Sequence, residues 1–172
     1  RMQNFNPIDE KYSPWSKQQA ADKISAIESY YLYDNDQHKR LLGLFLISKV
    51  EPREAIIGLP LWDHIETMDD YEKLYVTFLF QGLKLVRLGR MHIGLQLLYD
   101  LSFKDEETLL MWINVFPDLY EKYKEFDDLE TYAAAALYLY PADRKLTKKS
   151  LSEMFNTTIY RLNKAIDKIK QI

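Results

Sequence analysis

Three histidines, His38, His64 and His92, are the side chains best suited to metal ligation or acid–base work in this 172-residue chain, which has no cysteine. None stands three or four residues from another, the spacing that places two ligands on one helix face, and no HExxH pair occurs. His64 and Glu66 fall on different faces of any helix that contains them. Adjacent carboxylates at Asp69-Asp70 and Asp127-Asp128 could share a cation, but both pairs precede apolar runs, where a helix N-terminus attracts negative charge. They read as caps. The lack of cysteine removes disulfides, thiolate zinc sites and thiol nucleophiles. There is no GxxxxGK[ST] loop and no GxGxxG turn to hold a nucleotide. The expectation is a protein that is not an enzyme and uses no cofactor or metal.

Binding chemistry is better represented. Thirteen tyrosines include Tyr30, Tyr31 and Tyr33, and a large ring with a polar tip suits contact surfaces. With Tyr31 turned inward, Tyr30 and Tyr33 are the expected surface anchors. Charge is segregated: residues 144–172 hold eight Lys or Arg against two Asp or Glu, leaving fifteen against twenty-four in residues 1–143. The chain divides on this reading into a body, 1–143, and a basic terminus, 144–172, packed on the same domain. The whole is acidic, with net charge −3, so attraction to a polyanion would be local to that terminus.

These residues must be positioned by helices. Apolar residues make up 47% of the chain and charged residues 28%, the balance of a globular protein, and no alternating run bounded by hairpin turns suggests a sheet. Ser13-Pro14 begins a helix to about residue 33, broken by Asp34-Asn35-Asp36. A second helix spans about 37–49 and stops at Glu51-Pro52; a third starts at Pro52 and is bent or ended by Gly58 and Pro60. A long helix over 70–88 is closed by Gly89, and a partner follows over 90–101. Asp105 opens another that ends at Phe116-Pro117, with Pro117 able to start the next, to about Phe126. Asp127-Asp128 lead into a run through Tyr132, Ala133 to Ala136 and Tyr140, closed by Pro141, and two last helices fit 147–155 and 158–171.

Residues 42–47 and 81–86, Ala55-Ile56 and Gly94-Leu95, and Leu59 and Leu98 stand 39 residues apart in corresponding positions. The second copy, Phe78, Gly82, Leu85, Leu88-Gly89, Gly94 and Leu98, resembles a tetratricopeptide repeat, in which small residues let two antiparallel helices approach. The period is 39 rather than 34, and the closing proline is absent. The resemblance implies a repeat-like array of helical hairpins with a groove for a peptide or helix, and Tyr75, Gln81 and Arg87 as its contact residues. An irregular bundle whose helices use glycine for close packing accounts for the same residues.

In the basic terminus, Thr147 can cap a first helix, Ser152 takes a small position and Asn156 follows four residues later as a turn residue tolerant of positive φ. Leu162 and Ile166 are then the buried residues of a second helix. This segment resembles a helix-turn-helix, although Thr157 replaces the usual apolar residue after the turn. The resemblance implies that Thr157, Thr158, Tyr160, Arg161 and Lys164 face DNA base edges, with Lys148 and Lys149 on phosphates. A final amphipathic helix with a solvated charged face explains the same lysines.

The expected fold is all-α, an irregular or repeat-like array of hairpins ending in a helix-turn-helix-like pair. The expected function is an adaptor, chaperone or regulator that binds a protein or peptide; the alternative is a DNA-binding regulator of transcription or replication. No apolar run is long enough for a membrane span, and the first residues lack a signal-peptide core, which points to the cytoplasm. Arg1 ahead of Met2 fits a fragment of a longer chain, and self-association stays open.

Overall fold

Capping side chains mark where most helices begin. Asp36 accepts the His38 amide, Asp69 that of Glu72, Asp105 that of Thr108, Asp128 that of Thr131, Thr147 that of Ser150 and Thr158 that of Arg161. Each satisfies one of the amides that a first helical turn leaves without a partner. The computed structural model describes residues 14–56, 60–81, 86–124 and 127–172. Among them are eight α-helices and no strand: α1 Pro14–Ile27, α2 Gln37–Ser48, α3 Asp70–Gln81, α4 Val86–Asp100, α5 Glu106–Tyr123, α6 Leu129–Leu139, α7 Lys148–Met154 and α8 Ile159–Lys170. A π-helical turn, Glu28–Leu32, prolongs α1, and 3-10 turns occupy Arg53–Ala55 and Pro60–Thr67. Among the described residues no helix is long and apolar enough to cross a membrane.

The chain forms two compact units, Arg1–Leu83 and Lys84–Ile172. In the first, α1 buries Ala20 and Ile24 with Val50, while α2 buries Leu41, Leu42, Leu44, Phe45 and Ile47. Gly43 lies against the π-helical turn, where an added Cβ would stand 2.6 Å from the Tyr31 Cβ, so only glycine allows α2 to pass this close. Arg40 of α2 binds three groups at once: Nε donates to Glu72 Oε1 at 2.6 Å, and its terminal nitrogens donate to the Asp34 carbonyl at 2.7 Å and to Asp69 Oδ2 at 3.3 Å. Glu72 is only 3% exposed, so an unpaired charge there would be costly and Arg40 supplies its counter-ion. Burial and the neighbouring Asp69 carboxyl outweigh Arg40 and hold the Glu72 carboxyl above its usual value, leaving it the more easily protonated of the two acids.

In the second unit α6 is the central helix, touching α4, α5, α7 and α8. Its small side chains make this possible: Ala133, Ala134, Ala135 and Ala136 are all fully buried, so neighbours close on it from every side. Around it pack Leu88, Met91, Leu95 and Leu98 of α4, and Leu109, Trp112, Ile113, Phe116 and Leu119 of α5.

Several expected breaks are absent. Gly89 lies inside α4 and closes nothing, because the helix continues to bury Met91, Leu95 and Leu98. Glycine costs about 1 kcal/mol in a helix, less than one such side chain returns on burial. Pro117 is likewise interior to α5, which runs unbroken through Phe116 and Leu119 and ends at Lys124 with φ 50°. The segment expected as a third helix from Pro52 is a 3-10 turn instead, and Gly58 lies outside the described residues. Gly94, expected to let the 70–101 hairpin close, faces α5: a Cβ there would collide with the Trp112 ring, whose Nε1–H donates to the Met91 carbonyl at 2.9 Å. Gly82 lies outside the described residues.

Candidate nucleic-acid interface

The basic terminus folds as two helices joined by a tight turn. Thr147 and Ser150 form a reciprocal capping box at the start of α7, the Ser150 hydroxyl accepting the Thr147 amide at 3.2 Å. At the other end Asn156 has φ 52°; the Thr157 amide donates to the Ser152 carbonyl at 2.9 Å and the Asn156 amide to Glu153 at 3.3 Å. This pair of bonds around a left-handed residue is a Schellman turn, and asparagine is among the few non-glycine residues that enter it readily. Ser152 is buried where the helices cross, and Phe155 stacks on Phe103 with centroids 6.2 Å apart, which pins the turn to the unit.

α8 then packs on α6 through Leu162, Ala165, Ile166 and Ile169, all nearly fully buried. At about 100° per residue, Tyr160, Lys164 and Asp167 stand opposite that stripe, with Arg161 and Lys168 on one flank and Asn163 on the other. Tyr160 and Arg161 are 68% and 65% exposed. Lys164 lies over the Tyr160 ring at 4.6 Å and Lys168 over Tyr123 at 5.3 Å. Arg161 is within 3.9 Å of Asp128 Oδ2, a partly exposed pair of small worth. The face therefore offers cations, a flat ring and an amide, the groups that hold phosphates, stack on bases and read base edges, with the single carboxylate of Asp167 among them.

The expected contact residues divide on this geometry. Tyr160, Arg161 and Lys164 share the exposed face of α8, and Lys149 is exposed on α7. Lys148 is half-buried with its ammonium over the Tyr138 ring at 5.4 Å. Two threonines also hydrogen-bond within the fold. The Thr157 hydroxyl is 2.5 Å from that of Thr131, which itself donates to Asp128 Oδ2 at 2.6 Å, so a polar residue follows the turn because a buried hydroxyl awaits it. The Thr158 hydroxyl accepts the Arg161 amide as the cap of α8. Asn163 and Lys168 escaped the sequence reading, although the four-residue spacing of Tyr160, Lys164 and Lys168 carried a signal for the latter.

Of the expected protein contacts, Tyr30 and Tyr33 are 74% and 69% exposed, whereas Tyr75 is fully buried in α3 and is corrected to a core residue. Helix periodicity places Tyr75 with Val76 and Glu72 on the inward side. Arg87 is exposed in α4, and the side chain of Gln81 lies outside the described residues. Among the described residues no group of three His, Asp or Glu could hold a metal ion. Comparison with protein-family models, curated proteins and solved structures finds no match to the chain.

Proposed function

We propose that this protein is a DNA-binding regulator of transcription or replication that places α8 in the major groove. The observation that carries the reading is the α7–turn–α8 unit itself: a Schellman turn at Asn156, an inner stripe held by α6, and an outer face presenting Tyr160, Arg161 and Lys164. A second helix that is anchored on one side and cationic on the other is what groove recognition requires. Lys149 and Lys148 at the start of α7 would hold the backbone, and Asn163 has the paired donor and acceptor that suit adenine.

Fluorescence anisotropy with a mixed-sequence duplex at about 50 and 200 mM salt tests this. Four phosphates neutralised, by Lys148, Lys149, Arg161 and Lys164, predict a slope of roughly −3.6 in log K against log salt, an affinity loss on the order of 100-fold between the two conditions. Neutralising Arg161 and Lys164 should reduce the slope by about 1.8. Absence of binding at the lower salt, or a slope unmoved by these substitutions, would remove the reading.

A protein-partner role, as the adaptor, chaperone or regulator implied by repeat-like hairpins, has a separate observation in its favour. Tyr30 and Tyr33 stand exposed on the π-helical turn and its end, with Trp15 of α1 also 65% exposed. Large aromatic rings left in solvent are typical anchors of interfaces.

A further inference from the structure

α5 has a buried apolar face and a second, amphipathic one. One is the buried stripe through Trp112 and Phe116; the other carries half-buried Met111 and Val115. With Leu139 and the loop that follows α6, this second face walls a groove of about 780 Å³. Each of the three charged residues that line it, Glu107, Asp118 and Asp143, is acidic and exposed. The rest of the lining is mostly apolar, with Asn114 and Tyr140 its remaining polar side chains, which suits an amphipathic face better than a small polar ligand.

The far wall is preformed. Ala142 and Asp143 adopt φ values of 50° and 65°, a conformation that costs a non-glycine residue roughly 1–2 kcal/mol. The next residue, Arg144, fixes them: its amide donates to the Pro141 carbonyl at 3.1 Å, its guanidinium bonds Asp105 and the Thr108 hydroxyl, and it lies 5.0 Å from the Phe103 ring centroid. A loop held against its own preference by a tether on α5 needs no ordering when something enters the groove, and strain of this kind collects at ligand clamps.

We infer that this groove binds a basic amphipathic helix of a partner protein. The three carboxylates repel phosphate and so disfavour nucleic acid, while they complement Lys or Arg. A helix satisfies its own backbone hydrogen bonds, and no strand edge is present among the described residues to pair an extended peptide. Glu107 and Asp118 are eleven residues apart on α5, about 16 Å along its axis. The occupant is accordingly a helix of about three turns with Lys or Arg near both ends and apolar residues three or four apart between them, seated on Met111, Val115 and Leu139. This surface is independent of the DNA reading, whose residues lie on α7 and α8.

The test is anisotropy of the full chain with a fluorescein-labelled, side-chain-stapled helix of about fifteen residues, Leu on one face and Lys at both ends. Its twin has Glu in place of Lys. The Lys helix should bind at least tenfold more tightly than the Glu twin, and Val115→Arg should weaken it at least tenfold. The combined Glu107→Gln, Asp118→Asn and Asp143→Asn protein changes only exposed groups and keeps a residue tolerant of positive φ at 143; it should lose most of the preference for Lys, with a circular dichroism melt lowered by no more than the few degrees that loss of the Glu107 charge from the first turn of α5 costs. Neutralising Arg161 and Lys164 should leave peptide affinity untouched. Equal binding of the two helices, indifference to Val115→Arg, or no binding overturns the proposal, as does sedimentation showing a dimer of this chain that Val115→Arg dissociates.

Discussion

Replacing Gly94 with alanine should cost the second unit about 2 kcal/mol. The added methyl would run into the Trp112 ring, which is fully buried, has Phe116 with its centroid 5.4 Å away and is held by its hydrogen bond to the Met91 carbonyl. Forcing extra volume into a packed core costs roughly 1–3 kcal/mol, and disturbing the indole bond adds about 1 kcal/mol. Alanine returns about 1 kcal/mol because it is the better helix former. In a unit of this size each 1 kcal/mol moves the midpoint by roughly 4–8 °C, so a fall of about 10 °C is expected in a circular dichroism melt. Trp112→Leu should itself be destabilising, but in that background Gly94→Ala should become neutral or stabilising. A Gly94→Ala protein as stable as the parent, or one whose loss persists without the indole, would show that the ring can yield and that Gly94 does not set the approach of α4 to α5.

Asn156 and Asp105 offer two further tests. Asn156→Gly should be neutral or stabilise by a few tenths of a kcal/mol, whereas Asn156→Ala should destabilise by about 1 kcal/mol, since only the left-handed backbone at φ 52° separates them; urea midpoints decide. Burial pushes the Asp105 carboxyl up, but hydrogen bonds from Thr108 and Arg144 outweigh it and hold it at about 2 against an ordinary 3.8. A carboxylate held low in the folded state contributes stability that is complete above about pH 4 and fades as pH falls toward 2. Arg144→Met should therefore lower stability at neutral pH and flatten its decline between pH 4 and 2, as read by urea unfolding at several pH values. An unchanged decline would show that Arg144 does not set this acid limb.

What the sequence alone determined is local. Caps at Asp69, Asp128 and Thr147 are legible because each acts within three residues, and the burial of Leu162 and Ile166 because helix geometry repeats within one turn, whereas the cap at Thr158 emerges only in the structure. The all-helical class, the α7–α8 pair and the exposure of Tyr30 and Tyr33 follow from such short-range signals. Breakers mislead because they too are local: Gly89 and Pro117 cost about 1 and 3 kcal/mol, and core side chains on either side return about 1.5–3 kcal/mol each. Only the tertiary structure decides that Tyr75 faces inward, that Gly94 serves Trp112 and that Thr157 answers Thr131. It alone ties Arg40 to Glu72 and Arg144 to Asp105, partners separated by 32 and 39 residues. Such pairs depend on how helices cross, and no periodicity within a single helix encodes a crossing.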